Sequence, residues 1–140
     1  MVMNDPGAVD GTLELPDRIL VADDEHLVGR HTMSALKMLG FEVIGPAKNG
    51  AEAVSLVERE QPDLAILDIR MPDKSGLEAA REIWDRFQVP VVILSAFSND
   101  RYLEQACKTG VFGYLIKPAM MDDLRVAIGV AWSRYLDVTR

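Results

Sequence analysis

The 140-residue sequence is 49% hydrophobic and 26% charged, a balance that fills the core of one ordinary domain and leaves little chain over. Its net charge of −7 argues against direct nucleic-acid binding by this domain, and its single cysteine, Cys107, excludes an internal disulfide or a multi-cysteine zinc site. No apolar run reaches the ~18–20 residues of a membrane span, and the first residues lack the basic head and apolar stretch of a signal peptide, so no membrane contact and a cytoplasmic location are expected.

Residues 1–16 carry Asn4, Asp5, Pro6, Gly7, Asp10 and Gly11 without periodicity, which predicts a mobile tail ahead of a domain at 17–138. Ile19-Leu20-Val21-Ala22 is a short apolar run of the kind buried on both faces of a sheet, and it ends in Asp23-Asp24-Glu25. A helical pattern with Leu27, Met33, Leu36 and Leu39 follows and stops at Gly40. Glu42 to Gly45 reads as a weaker second strand, and Asn49 as the cap of a helix Gly50–Glu60 that Pro62 terminates. Leu64 to Leu67 is a third strand, ending in Asp68, and a loop with Pro72 and Gly76 leads to a helix from Leu77 to Phe87. Pro90 to Leu94 forms a fourth strand, ending in Ser95, followed by a helix from Asn99 to Lys108. Phe112 to Ile116 is the fifth strand, ending in Lys117-Pro118, and a last helix starts at Met121. Strand and helix alternate throughout, which predicts an α/β fold: a doubly wound, five-stranded parallel sheet with helices on both faces. Neither a Gly-x-Gly-x-x-Gly fingerprint nor a phosphate loop occurs, so the common nucleotide-binding forms of this architecture are excluded.

In an open parallel sheet, sites form at the carboxyl ends of the strands. Asp23, Asp24, Asp68, Ser95 and Lys117 each follow an apolar run and meet at that rim. Clustered carboxylates repel one another unless a cation intervenes. A hard divalent ion with oxygen ligands, Mg²⁺ above all, answers that need and leaves coordination sites for a phosphoryl group. Lys117 and the Ser95 hydroxyl offer donors to phosphoryl oxygens, and an aspartate can attack phosphorus. Taken alone, Asp23-Asp24 could equally be a helix N-cap, and Ser95 a turn residue.

The runs Ile19–Glu25 and Asp68-Ile69-Arg70-Met71-Pro72 with Gly76, together with Ser95-Ala96 and Lys117-Pro118, resemble the receiver domain of bacterial two-component response regulators. The resemblance covers Arg18 to Tyr135 and implies a flavodoxin-like sheet of order 2-1-3-4-5. It further implies Asp68 as phosphoacceptor and Mg²⁺ held by Asp24, Asp68 and the backbone carbonyl of Arg70, with Asp23 acting through a water. Ser95 and Lys117 would contact the phosphoryl group, Ser95 and Tyr114 would form the switch, and the Lys117–Pro118 bond would be cis. The donor would be a sensor histidine kinase or a phosphotransfer protein. The sequence departs from the family in Ser95, often threonine there, in Ala119 after Lys-Pro, and in the bulky Arg70 beside the acceptor.

The stretches Val92–Ser98 and Ala131–Tyr135 are similar to receivers of RNA-binding antiterminator regulators, whose output domain follows the last helix; no output domain is expected within these residues. Two other readings stand beside this one. An aspartate-nucleophile phosphatase places an acid two residues after the nucleophile, where this chain has Arg70, whose guanidinium does not release a proton. An unphosphorylated pseudo-receiver loses an acidic or lysine position, and none is lost. His26 and His31 do not share a helix face and read as surface residues. On the last helix, Leu124, Ala127, Ile128, Ala131, Tyr135 and Val138 make one stripe facing the sheet. Trp132 and Leu136 on its flank are the expected partner surface, suited to a homodimer. Tyr114 could also be plain packing.

Overall fold

A strand that is apolar at every position must bury both faces, and alternate side chains must enter different cores. The computed structural model, which describes residues 14–96, 104 and 110–139, shows this division. In chain order come β1 (Arg18–Ala22), α1 (His26–Met38), β2 (Glu42–Ala47), α2 (Gly50–Glu60), β3 (Leu64–Leu67), α3 (Gly76–Phe87), β4 (Val91–Ser95), β5 (Val111–Ile116) and α4 (Met121–Thr139). The five strands are parallel and ordered β2-β1-β3-β4-β5. Leu20, Ala22, Ala65, Leu67, Val91 and Ile93 point into a cluster with α2 and α3. Their neighbours Ile19, Val21, Leu64, Ile66, Val92 and Leu94 point the other way, against α1 and α4.

Of the expected helix Asn99–Lys108 only Glu104 is described, in helical conformation, while the rest of it, Cys107 and most of the expected tail lie outside the described residues. Of the tail's end, Leu15 is half-buried against the α1/α4 cluster and Pro16 is buried. The Asp63 carboxylate accepts the N–H groups of Asp17 and Arg18, at 3.0 and 2.9 Å.

Two helices depart from the expected faces. Leu27 is 81% exposed, and α1 instead buries Gly29, Thr32, Ala35 and Leu36. Nine residues at 100° each set Leu27 about 180° from Leu36, so the two cannot share a stripe. In α4, Leu124, Ile128 and Ala131 are buried as expected, but Val138 is exposed. At 1.5 Å per residue this helix is roughly 28 Å long, against roughly 20 Å for a six-residue strand, so its last turn runs past the sheet. Trp132 and Leu136 are half-buried, with the Trp132 ring stacked on Tyr135 at 5.0 Å. Both histidines are exposed.

Caps set the helix starts. Asn49 accepts from the Glu52 N–H at 2.7 Å, as its position predicts. Ser75 and Glu78 form a reciprocal capping box, both bonds at 3.2 Å, so α3 begins one residue before Leu77, at Gly76. Gly76 is there because the chain doubles back: its N–H donates to the Ile69 carbonyl at 2.7 Å, and a Cβ would lie 1.8 Å from the Asp68 carbonyl oxygen.

Ser75→Ala is therefore expected to lower stability by about 1 kcal/mol, and Gly76→Ala by about 2–3 kcal/mol because backbone must move. Chemical denaturation checks both; equal costs would show that the close approach at Gly76 is relieved without strain.

Candidate functional site

The parallel ladder does not stop where the strands do. The Asp23 N–H donates to the Ala47 carbonyl at 2.9 Å, the Asp68 N–H to Ala22 at 3.0 Å and the Lys117 N–H to Ser95 at 2.8 Å. Each of these three residues is thus pinned by one more rung to the strand beside it. This fixes the backbone at the carboxyl end of the sheet before any side chain is considered.

Asp23 is 4% exposed, Asp68 7% and Ser95 fully buried. The Lys117 ammonium donates to Asp23 Oδ2 at 2.6 Å and to Asp68 Oδ2 at 3.2 Å. Residues 94 and 49 positions apart in sequence meet in one charge cluster. Asp23 Oδ1 also accepts the Glu25 backbone N–H at 2.9 Å. Asp23 therefore does not act as a side-chain cap on α1, whose N-cap Glu25 makes no side-chain cap bond. Among the described residues no buried side-chain nitrogen or oxygen lacks a partner.

Burial pushes the Asp68 carboxyl above its ordinary range. The charge and hydrogen bond of Lys117 oppose this, and the neighbouring Asp23 adds to it. For Lys117, burial alone would lower the ammonium's proton affinity. Its hydrogen bond to Asp23 and the attraction of Asp68 and Asp23 outweigh that and hold it above the ordinary lysine value.

Asp24 is exposed, and the three acidic side chains whose ligand atoms lie within 4.8 Å of one another are Asp23, Glu25 and Asp68. Sequence reasoning assigned nothing to Glu25, although it completes the Asp-Asp-Glu run. Asp24 and Glu25 are both exposed, and the turn from strand into helix brings the carboxylate two residues after Asp23 back towards it. The Arg70 side chain, just past β3, is exposed. Lys117–Pro118 is cis, as expected, and so is Gly45–Pro46. Tyr114 is half-buried, packs against the α2/α3 cluster and pairs in register with Ile93.

Trp132 does not belong to this end of the molecule. With Tyr135 it lines a cavity beside Pro62, Asp63, Gln88 and Val89, residues that precede β3 and β4. At the site itself, a mainly apolar cavity of about 440 Å³ opens beside Lys117 and Pro118, walled by α1 and the start of α4.

A carboxylate held beside an ammonium at a partly open rim is an arrangement for receiving a phosphoryl group. Comparison with known proteins identifies the family. Residues 19–129 match the profile of the response regulator receiver domain. Transcriptional regulatory protein PdtaR of Mycobacterium tuberculosis is 40% identical over 130 residues, 93% of this chain and 63% of that protein. Transcriptional regulatory protein DesR of Bacillus subtilis is 39% identical over 111 residues, 79% of this chain and 55% of that protein. This chain therefore spans less than two-thirds of the length of these relatives. A response regulator receiver domain protein from Clostridium thermocellum superposes with a TM-score of 0.79 at 31% identity, over 88% of this chain and 99% of that one. No helix among the described residues is long and apolar enough to cross a membrane.

The charge cluster has a pH signature. Ionised Asp68 is disfavoured in the fold, so its contribution is present below the unfolded value of 3.8 and is lost as pH rises through the raised folded value. Asp68→Asn, which cannot ionise, should melt higher than the wild type at pH 7 and not at pH 3. Lys117→Met leaves two buried carboxylates without their cation and should cost about 3 kcal/mol at pH 7. That deficit should shrink as Asp68 protonates towards pH 3. Melting curves at the two pH values check both, and a pH-independent deficit for Lys117→Met would contradict the charge assignment.

Proposed function

Because this chain belongs to the response regulator receiver domain family, we propose that Asp68 is its phosphoryl acceptor, charged from phosphohistidine on a cytoplasmic sensor kinase or phosphotransfer protein. The observation that carries this reading is Asp68 at the end of β3, buried beside Asp23, with the Lys117 ammonium hydrogen-bonded to both.

An Asp68 oxygen attacks phosphorus while the phosphorus–nitrogen bond to the donor imidazole breaks and that nitrogen keeps the electron pair. Lys117 shifts a hydrogen bond from carboxylate to phosphoryl oxygen, and the Ser95 hydroxyl donates to another. Arg70, two residues on, cannot act as the general acid that hydrolytic turnover would need. The all-oxygen donor set fits a hard divalent cation: Asp23, Asp68 and the neighbouring Asp24 or Glu25, with the Arg70 carbonyl. When bound, Mg²⁺ neutralises charge on the transferring group.

Movement of Ser95 towards the phosphoryl group, answered by Tyr114, is the proposed switch. The apolar cavity beside Lys117, flanked by exposed Leu27 and Met120, suits the donor protein. On α4 the proposed self-association surface is half-buried Trp132 with half-buried Leu136.

An acyl phosphate with Mg²⁺ should add one phosphoryl group, seen by mass spectrometry, and Asp68→Asn should abolish it. Label retained by Asp68→Asn would refute the assignment. Mg²⁺ alone should raise the melting temperature of the wild type by binding the native state. A melting curve indifferent to Mg²⁺ in excess would count against the metal site.

A further inference from the structure

The loop from Asp68 to Ser75 is tied down at both ends. At its start, the Ile69 carbonyl accepts the Gly76 N–H at 2.7 Å. At its finish stands Lys74, held in three ways. The Lys74 N–H donates to the Pro72 carbonyl at 2.8 Å, its carbonyl accepts the Gly50 N–H at 3.1 Å, and its ammonium reaches the Glu82 carboxylate on the second turn of α3. Gly50 opens α2, and a Cβ there would lie 2.2 Å from the Lys74 carbonyl oxygen and 2.8 Å from the Lys74 Cβ. The amino end of α2 therefore rests directly on this residue.

Glu82 continues the connection. Its second oxygen accepts from Arg86 Nη1 at 2.7 Å, and Arg86 Nη2 lies 3.6 Å from Glu58 of α2. The hydrogen bond from Lys74, then that from Arg86, hold the Glu82 carboxyl below the ordinary glutamate range. The Lys74 and Glu82 side chains are 32% and 28% exposed, so this pair is better shielded than an ordinary surface ion pair.

We propose that Lys74 and Glu82 are a positioning pair for the phosphoryl site: by strapping the loop to α3, and through Gly50 to α2, they fix where the Arg70 carbonyl stands relative to the Asp68 carboxylate. The inference rests on the reading of Asp68 and the Arg70 carbonyl given above. A cation held jointly by a strand-end carboxylate and a loop carbonyl is bound only as well as the loop is placed. Loss of such supporting contacts typically weakens metal binding by tenfold or more. Neither residue touches the reacting atoms.

The test uses the full chain with Glu82→Gln, Lys74→Gln, the double variant and the charge-keeping Lys74→Arg. Mg²⁺ affinity is read by calorimetric titration of the unphosphorylated protein, and the loop by amide hydrogen exchange of residues 69–75 in chelator. Each single loss should weaken Mg²⁺ binding about tenfold and speed exchange in the loop. The double variant should be no worse than either single, because the pair acts as one unit, and Lys74→Arg should stay near the wild type. Folded Glu82→Gln with wild-type affinity and wild-type exchange would overturn the proposal. A wild type that binds Mg²⁺ but takes no phosphoryl group would instead fail the reading of Asp68 and leave the effect of the pair on metal binding intact.

Discussion

A parallel sheet covered on both faces has no room for charge except at the ends of its strands, and here two aspartates from β1 and β3 share one end. The cation that makes this tolerable within the chain is Lys117, which follows β5 and donates to both. The shared ammonium draws together three strands that lie first, third and fifth along the sequence. Much else follows from that arrangement. Asp68 can be buried yet remain a carboxylate beside a positive partner, and the extra ladder rungs at Asp23, Asp68 and Lys117 hold the three backbones in register. Removing the cation leaves two like charges facing each other in a poorly solvated place, whereas removing either carboxylate leaves a balanced pair.

The two ends of the sheet are built from different chemistry. The carboxyl end is charged, and its loops are constrained by backbone contacts at Gly76 and Gly50. The opposite end is aromatic. Trp84 lies 5.0 Å from Phe112 and 6.2 Å from Tyr135, and Tyr135 stacks with Trp132. Arg134 closes that end by donating to the Phe112 carbonyl at 3.2 Å. Ring contacts there join α3, β5 and α4.

Much of this was legible from residue order alone. The wholly apolar runs placed the strands, and since a strand carries its next residue out at the sheet's end, Asp68, Ser95 and Lys117 could be set on one rim before any coordinates. Asn49 and Pro62 bounded α2 correctly because caps and prolines act locally. Faces were harder. Leu27 looked like core by composition, yet Gly29 and Thr32 are buried in its stead, because α1 must approach β2 and Asp23 closely: a Cβ on Gly29 would lie 3.3 Å from Pro46 and 3.4 Å from the Asp23 Cβ. Val138 failed for a different reason, the mismatch between helix and strand length. Glu25 and the Lys74–Glu82 contact depend on how the chain turns after a strand, and no periodicity records that.

The aromatic end carries a consequence for observing the molecule. Both of the chain's tryptophans, Trp84 and Trp132, belong to it, and β5 separates it from Lys117 by its full length, roughly 20 Å for six residues. Tryptophan emission therefore originates at the far end from the acidic cluster, too distant to sense a phosphoryl group or an ion directly. Any change in that emission when the rim is altered has been relayed through the body of the protein, by β5 or by the helices flanking it. The native fluorescence is a remote gauge of how far a disturbance at Asp68 travels.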